Sequence, residues 1–83
     1  MNKRYTLKNS DNEFFTCIID PGQEEKEQWE AVFAIDKGYG FTAERWGEQV
    51  KIVDYFHGET RASFQIISVE DTAEEASSQL SRI

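Results

Sequence analysis

At 83 residues the chain has the length of one small domain, and a domain of that size buries only about 60–65% of its unfolded surface. Six Phe, three Tyr and two Trp, within a hydrophobic content of 39%, supply large side chains for a core and exclude a disordered chain. Sixteen acids against nine bases give a net charge of −7, a balance that repels phosphate-rich surfaces and favours basic partners.

The charge is uneven. Residues 1–10 carry Lys3, Arg4 and Lys8 and no acid, whereas residues 11–30 hold seven acids against Lys26. The tail adds Glu70, Asp71, Glu74 and Glu75 against Arg82. No apolar run is long enough for a signal peptide or a membrane span, so a cytoplasmic protein without membrane association is expected. Cys17 is alone, which rules out an internal disulfide and a cysteine-rich metal site. It shares a strand face with Phe15 and Ile19, the place of a small core residue.

In chain order, Arg4–Lys8 reads as a short strand with Tyr5 and Leu7 inward, and as the candidate edge of a sheet. Asn9-Ser10-Asp11-Asn12 is a turn signal. Glu13–Ile19, apolar on both faces, reads as a strand in the sheet interior, stopped by Asp20-Pro21-Gly22. Residues 22–36 admit two readings. Asp20, Pro21 and Gln23 would suit the N-cap, N1 and N3 of a helix, with Glu24 and Glu25 at the positive end of its dipole. Against that, Trp29, Ala31, Phe33 and Ile35 alternate with strand period, and a helix would leave Val32–Ile35 apolar nearly all round. The favoured reading is a polar loop or one helical turn over 22–27, then a strand over Gln28–Ile35.

Asp36-Lys37-Gly38 reads as a tight turn with Gly38 at positive φ. Tyr39–Ala43 returns as a strand, and Glu44–Glu48, with Trp46-Gly47, forms the next connection. Gln49–Val69 is the clearest element: two runs of β-branched and aromatic residues flank the polar His57-Gly58-Glu59-Thr60, the form of a β-hairpin. Val50 and Ile52 alternate with Lys51, and Ala62, Phe64 and Ile66 with Ser63 and Gln65, so each strand has an apolar face. Asp71 offers an N-cap with Glu74 three residues later. Ala73, Ala76 and Leu80 share a helical face, which predicts a short C-terminal helix. The fold expected is α+β: a small antiparallel β-meander sheet of five or six strands, curled or barrel-like, with a C-terminal helix. The alternative packs a helix over residues 22–36 on a four-stranded sheet.

Little here predicts catalysis. His57, the only histidine, sits at a hairpin turn without a partner nucleophile or a second histidine. Asp54, Glu59 and Glu48 form no distinctive carboxylate pair. There is no nucleophile elbow, phosphate loop or metal motif, so no enzyme, cofactor or metal site is expected. Gly38-Tyr39-Gly40-Phe41-Thr42-Ala43 fits a relaxed G-x-G-x-x-A, but no convincing helix follows and the chain is too short for two βαβ halves.

Two binding readings stand. Glu24, Glu25, Glu27 and Glu30 form an acidic run around Trp29, and Trp46 follows Arg45 in a connection. Acids around aromatic anchors suit a basic protein surface. This reading predicts a non-catalytic protein-binding module, a modulator or inhibitor occupying a basic site on its target. The second rests on Lys37-Gly38-Tyr39-Gly40-Phe41. It resembles the K-G-[FY]-G-F core of the first RNA-binding signature of cold-shock domains, and Asp54-Tyr55-Phe56-His57 is similar to their second, D-V-F-V-H. The resemblance implies an OB-type barrel that binds single-stranded nucleic acid. Tyr39 and Phe41 would be its stacking platform, Tyr55 and His57 would join them, and Lys37 would contact phosphate. The acidic charge supports the first reading and the KGYGF pentapeptide the second. Either is compatible with a monomer or an edge-paired homodimer.

Overall fold

The computed structural model describes Met1–Ile83. Its elements are β1 (Asn2–Lys8), β2 (Phe14–Ile19), α1 (Glu25–Val32), a 3-10 turn (Lys37–Tyr39), β3 (Phe41–Trp46), β4 (Gln49–Asp54), β5 (Glu59–Thr72) and β6 (Ser81–Arg82). The strands form one antiparallel sheet in the order β3-β4-β5-β1-β2-β6. No helix is long and apolar enough to cross a membrane.

The hairpin expected over Gln49–Val69 is present as β4 and β5, with Val50 opposite Phe64 and Ile52 opposite Ala62. β5 runs further than the sequence suggests, because its second half pairs with β1 as far as Asn2 opposite Thr72. β1 is therefore no edge: it lies between β5 and β2, and the Arg4–Lys8 edge assignment is corrected. The simple meander is corrected with it: β1-β2 and β3-β4-β5 each follow one another in space, but β5 returns to pair with β1, and β6 lies outside β2. The connection assigned to Glu44–Glu48 shrinks to Gly47-Glu48, a two-residue turn with Gly47 at φ 60°, and β3 continues through Trp46.

Residues 25–32 are a helix, not the favoured strand. Trp29 and Val32, three apart, face the core, and Glu30 is buried beside them through ion pairs rather than apolar contact. The apolar block that argued against a helix lies beyond its end. Ala34 takes the left-handed conformation at φ 53°, its N–H bonds to Ala31 O, and the Ile35 N–H bonds back to Glu30 O. That is a Schellman closure with alanine where glycine is usual. It turns Phe33 and Ile35 back onto the core. Asp20 is not the N-cap, which is Glu24. Asp20 instead makes its own turn, accepting from Gly22 N–H, and the Gln28 amide clasps its backbone N–H and carbonyl at 2.7 Å each. The tight turn also moves: the 3-10 turn occupies 37–39, and positive φ falls at Gly40 (79°), not Gly38.

The C-terminal helix is absent. Lys3 pairs with Asp71 and Arg4 with Glu74, so the basic N-terminus holds the acidic tail extended. Residues 77–83 then seal the outer edge of β2. Ser77 N–H donates to Ile18 O and its hydroxyl accepts from Ile18 N–H, Leu80 N–H reaches Val32 O, and β6 pairs with Phe15 and Thr16. The open carbonyls and amides of β2 outcompete a short serine-rich helix for these residues.

A flat sheet would hold β2 and β3 about 19 Å apart. Helix α1 packs on both, so the sheet curls around it. It does not close, and α1 fills the gap. Bulges at Thr6/Leu7 and Ile52/Val53 help β5 bend. The core is Tyr5, Leu7, Cys17, Ile19, Trp29, Val32, Ala43, Val50 and Ile66, with Phe33, Ile35, Phe64 and Leu80 packed against it.

Two backbone positions give opposite expectations. Ala34 is exposed and left-handed, so Ala34→Gly should stabilise the protein by about 1 kcal/mol. At Gly40 a Cβ would come within 2.7 Å of the Phe56 ring as well as meeting positive φ. Gly40→Ala should cost about 2–4 kcal/mol. Urea unfolding midpoints at constant slope measure both.

Candidate functional site

Helix α1 lies alongside β3 and runs against it. Glu25 in the first turn meets Arg45, and Glu30 one turn later meets Thr42. Along this seam two shallow depressions open, of about 440 and 240 Å³. Lys26 lines both.

The larger is lined by Glu25, Lys26, Trp29, Glu44, Arg45 and Trp46. Strand period puts Glu44 and Trp46 on one face, and the Trp46 indole N–H donates to Glu44 Oε2 at 3.0 Å. Lys51 Nζ lies 5.7 Å from the Trp46 ring centroid. The ring itself is 61% exposed. Arg45 is held from three sides: it donates to Glu25 Oε1 (2.8 Å), Tyr5 Oη (2.9 Å) and Gly47 O (3.0 Å). The Glu25 bond in particular holds its guanidinium charged.

The smaller depression is lined by Glu24, Lys26, Glu27, Glu30, Lys37, Phe41, Thr42 and Tyr55. Its floor is Glu30, only 7% exposed. Lys37 Nζ lies 3.0 Å from Oε1, and the Thr42 hydroxyl donates to Oε2 at 2.9 Å. Lys26 contacts both Glu30 and Thr42. Burial works to raise the Glu30 pKa, but the Lys37 and Thr42 bonds and the Lys26 charge outweigh it, so the carboxyl lies below its ordinary range.

The residues singled out from sequence therefore fall on one seam, but not in their expected groups. Glu25, Trp29 and Trp46 share the larger depression. Glu24 and Glu27 share the smaller with Lys37, Phe41 and Tyr55, so the acidic set and the cold-shock-like set interleave. Trp29 is fully buried and presents no surface. Phe41 is half-buried, while Tyr39 and Tyr55 are exposed. Tyr55 N–H bonds to Gly40 O at 2.8 Å, which brings the two tyrosine-bearing turns together. His57 is exposed but tied by Nδ1 to Asp54 Oδ2 at 2.8 Å.

Glu44 and Lys26 were not singled out, and Glu30, expected as one of the acids around Trp29, is instead buried and paired with lysines. The Glu44–Trp46 pairing shows only if β3 is extended to Trp46, and Lys26–Glu30 is an i,i+4 pair visible only if the helix is accepted. Burial pushes the Cys17 thiol up to about 12, so it is not a thiolate at neutral pH. No cluster of three or more His, Cys, Asp or Glu side chains is placed to hold a metal ion. Comparison with known proteins finds no matching family model, no similar curated protein and no similar solved structure.

Asp54 anchors the loop that carries Tyr55. Its Oδ1 accepts from Phe56 and His57 N–H, and its Oδ2 meets Arg61 at 2.9 Å and His57. The Arg61 bond first, and the His57 bond next, hold its carboxyl at about 2. Unfolded, the same carboxyl takes up its proton near 3.8. Its contribution is thus complete above that pH and is lost as pH falls toward 2. The stability gap between wild type and Asp54→Asn should close across this window, as thermal melts at stepped pH would show.

Proposed function

We propose that the protein is a non-catalytic binding module whose α1–β3 seam docks a basic surface of another protein, as a modulator or inhibitor would. The observation that carries this reading is Trp46: a large ring, 61% exposed, fixed by Glu44 at the rim of a depression that also holds Glu25. Exposed tryptophans of this kind are frequent interface hot spots. The surrounding charge supports a basic partner, since Glu24 and Glu27 form no ion pair while Lys26, Lys37 and Arg45 are each engaged by acids of the seam. A cytoplasmic setting goes with this reading, for which the unpaired, buried Cys17 is the support.

A second reading, single-stranded nucleic acid, has in its favour the exposure of Tyr39 (72%) and Tyr55 at one end of the sheet. It is the weaker one. Lys37, its phosphate contact, is spent on Glu30, and Glu24 and Glu27 border the same depression. A phosphate approaching there would meet uncompensated carboxylates.

One experiment separates the two. Immobilised protein is incubated with a lysate of its own cells, with and without nuclease, and eluted in salt steps. Protein bands that survive nuclease and elute with rising salt are expected. Trp46→Ala should weaken their binding by about 30-fold or more, as for a hot spot. Because the ring is exposed, the same change should move stability by no more than about 1 kcal/mol. Bands retained at full strength by Trp46→Ala, or nucleic-acid fragments in the eluate, would overturn the reading.

A further inference from the structure

We propose that residues 75–83 form a strap that opens while the sheet stays folded, and that the β2 edge it uncovers pairs with the β2 edge of a second copy of this chain. The proposal is independent of how the α1–β3 seam is used, and it places an edge-paired homodimer on β2 rather than on β1.

The root of the tail is fixed. Asp71 pairs with Lys3, Glu74 with Arg4, and the Asn2 amide donates to Glu74 O. Beyond Glu74 no residue is buried, and Ser77 and Leu80 are half-buried. Leu80 is the side chain of the strap that packs against the core. The remaining hold is polar: the two Ser77–Ile18 bonds, Leu80 N–H to Val32 O, Ile83 N–H to Phe14 O, the short β6 ladder and the exposed Arg82–Glu13 pair. A segment with so little apolar contact opens at far less cost than the whole domain.

The strand beneath is Phe14-Phe15-Thr16-Cys17-Ile18-Ile19, with no charge, glycine or proline to blunt its edge. Strand geometry turns the main chain of alternate residues outward, here Phe14, Thr16 and Ile18. The strap meets all three: Ile83 at Phe14, Ser81 opposite Thr16, and Ser77 at Ile18. That spacing is symmetric about Thr16. In an antiparallel pair of two β2 edges, Thr16 stands opposite Thr16 and Phe14 opposite Ile18. Each outward amide and carbonyl of one copy then finds a partner on the other. Thr–Thr and aromatic–β-branched pairs are favourable across strands, and no like charges meet. The edge is therefore complementary to itself, and the strap is the guard that keeps two copies apart.

Hydrogen exchange on the unaltered chain reads the opening. The amides of Ile18, Ser77, Leu80 and Ile83 should exchange together, at least about tenfold faster than those of Tyr5 and Cys17, which face each other across β1–β2. Analytical ultracentrifugation of the full chain reads the pairing. Ser77→Pro with Leu80→Ala removes the Ile18 bonds and the apolar anchor of the strap. This variant should sediment as a dimer with its near-ultraviolet circular dichroism kept, where the wild type sediments as a monomer. Adding Thr16→Lys sets a lysine opposite its own copy and should return the variant to a monomer. Leu80→Ala alone keeps every backbone bond, should dimerise more weakly, and takes the place of the double variant if that chain unfolds. Strap amides protected as well as Tyr5 and Cys17, a folded strap variant that stays monomeric, or a dimer that survives Thr16→Lys would overturn the proposal.

Discussion

Burial of Trp29 fixes helix α1, and the outer surface follows from it. The ring is fully enclosed, meeting Tyr5 edge-on at 5.0 Å and Phe33 at 6.2 Å. Its indole N–H has no acceptor, which costs about 1–3 kcal/mol. Removing about 200 Å² of tryptophan from water contributes about 5 kcal/mol, so the apolar term wins. With Trp29 locked inward, the helix has no rotational freedom left. Glu24 and Glu27 must face solvent, Glu25 must face Arg45, and Glu30 is carried beneath the rim.

The position of Glu30 decides the electrostatics of the seam. A carboxylate this buried stays ionised only if cations follow it, and Lys26 and Lys37 do so from two elements. Thr42 supplies the remaining hydrogen bond from β3. One buried acid thus consumes two of the seam's three bases, and Glu25 consumes Arg45. Glu24 and Glu27 are left without an ion pair, while Glu44 stands across the ladder from Lys51. A seam lined by five glutamates and three bases then presents its negative charge where the rings are, a consequence of packing more than of net charge.

The β4–β5 hairpin was legible because period-two alternation on both strands has no competing reading. So was the inward place of Cys17. The helix was obscured by two things. Its apolar stripe is only Trp29 and Val32, too short to announce a period, and its stop signal is Ala34 in a conformation that glycine normally marks. Alternation of Trp29, Ala31, Phe33 and Ile35 is real in the sequence but spans a helix and its turn-back. The C-terminal segment misled for the opposite reason. Ala73, Ala76 and Leu80 do have helical spacing, yet the ion pairs of Lys3 and Arg4 and the bare edge of β2 are long-range demands that local pattern does not carry. At the site, individual residues could be named from sequence, but their grouping depended on the helix lying along β3.

The two edges of the sheet are finished differently. Along β2, Ser77 and β6 satisfy the backbone, Leu80 ties the tail to the end of α1, and two of the four tail acids, Asp71 and Glu74, pair with Lys3 and Arg4. Nothing comparable covers the outer side of β3. There α1 approaches through long charged side chains, Glu25 to Arg45 and Lys26 to Thr42, and these leave grooves between them where close-packed apolar contacts would not. The same choice that holds helix to strand by ion pairs at the rim, with only Trp29 and Val32 beneath, makes the seam both open and charged.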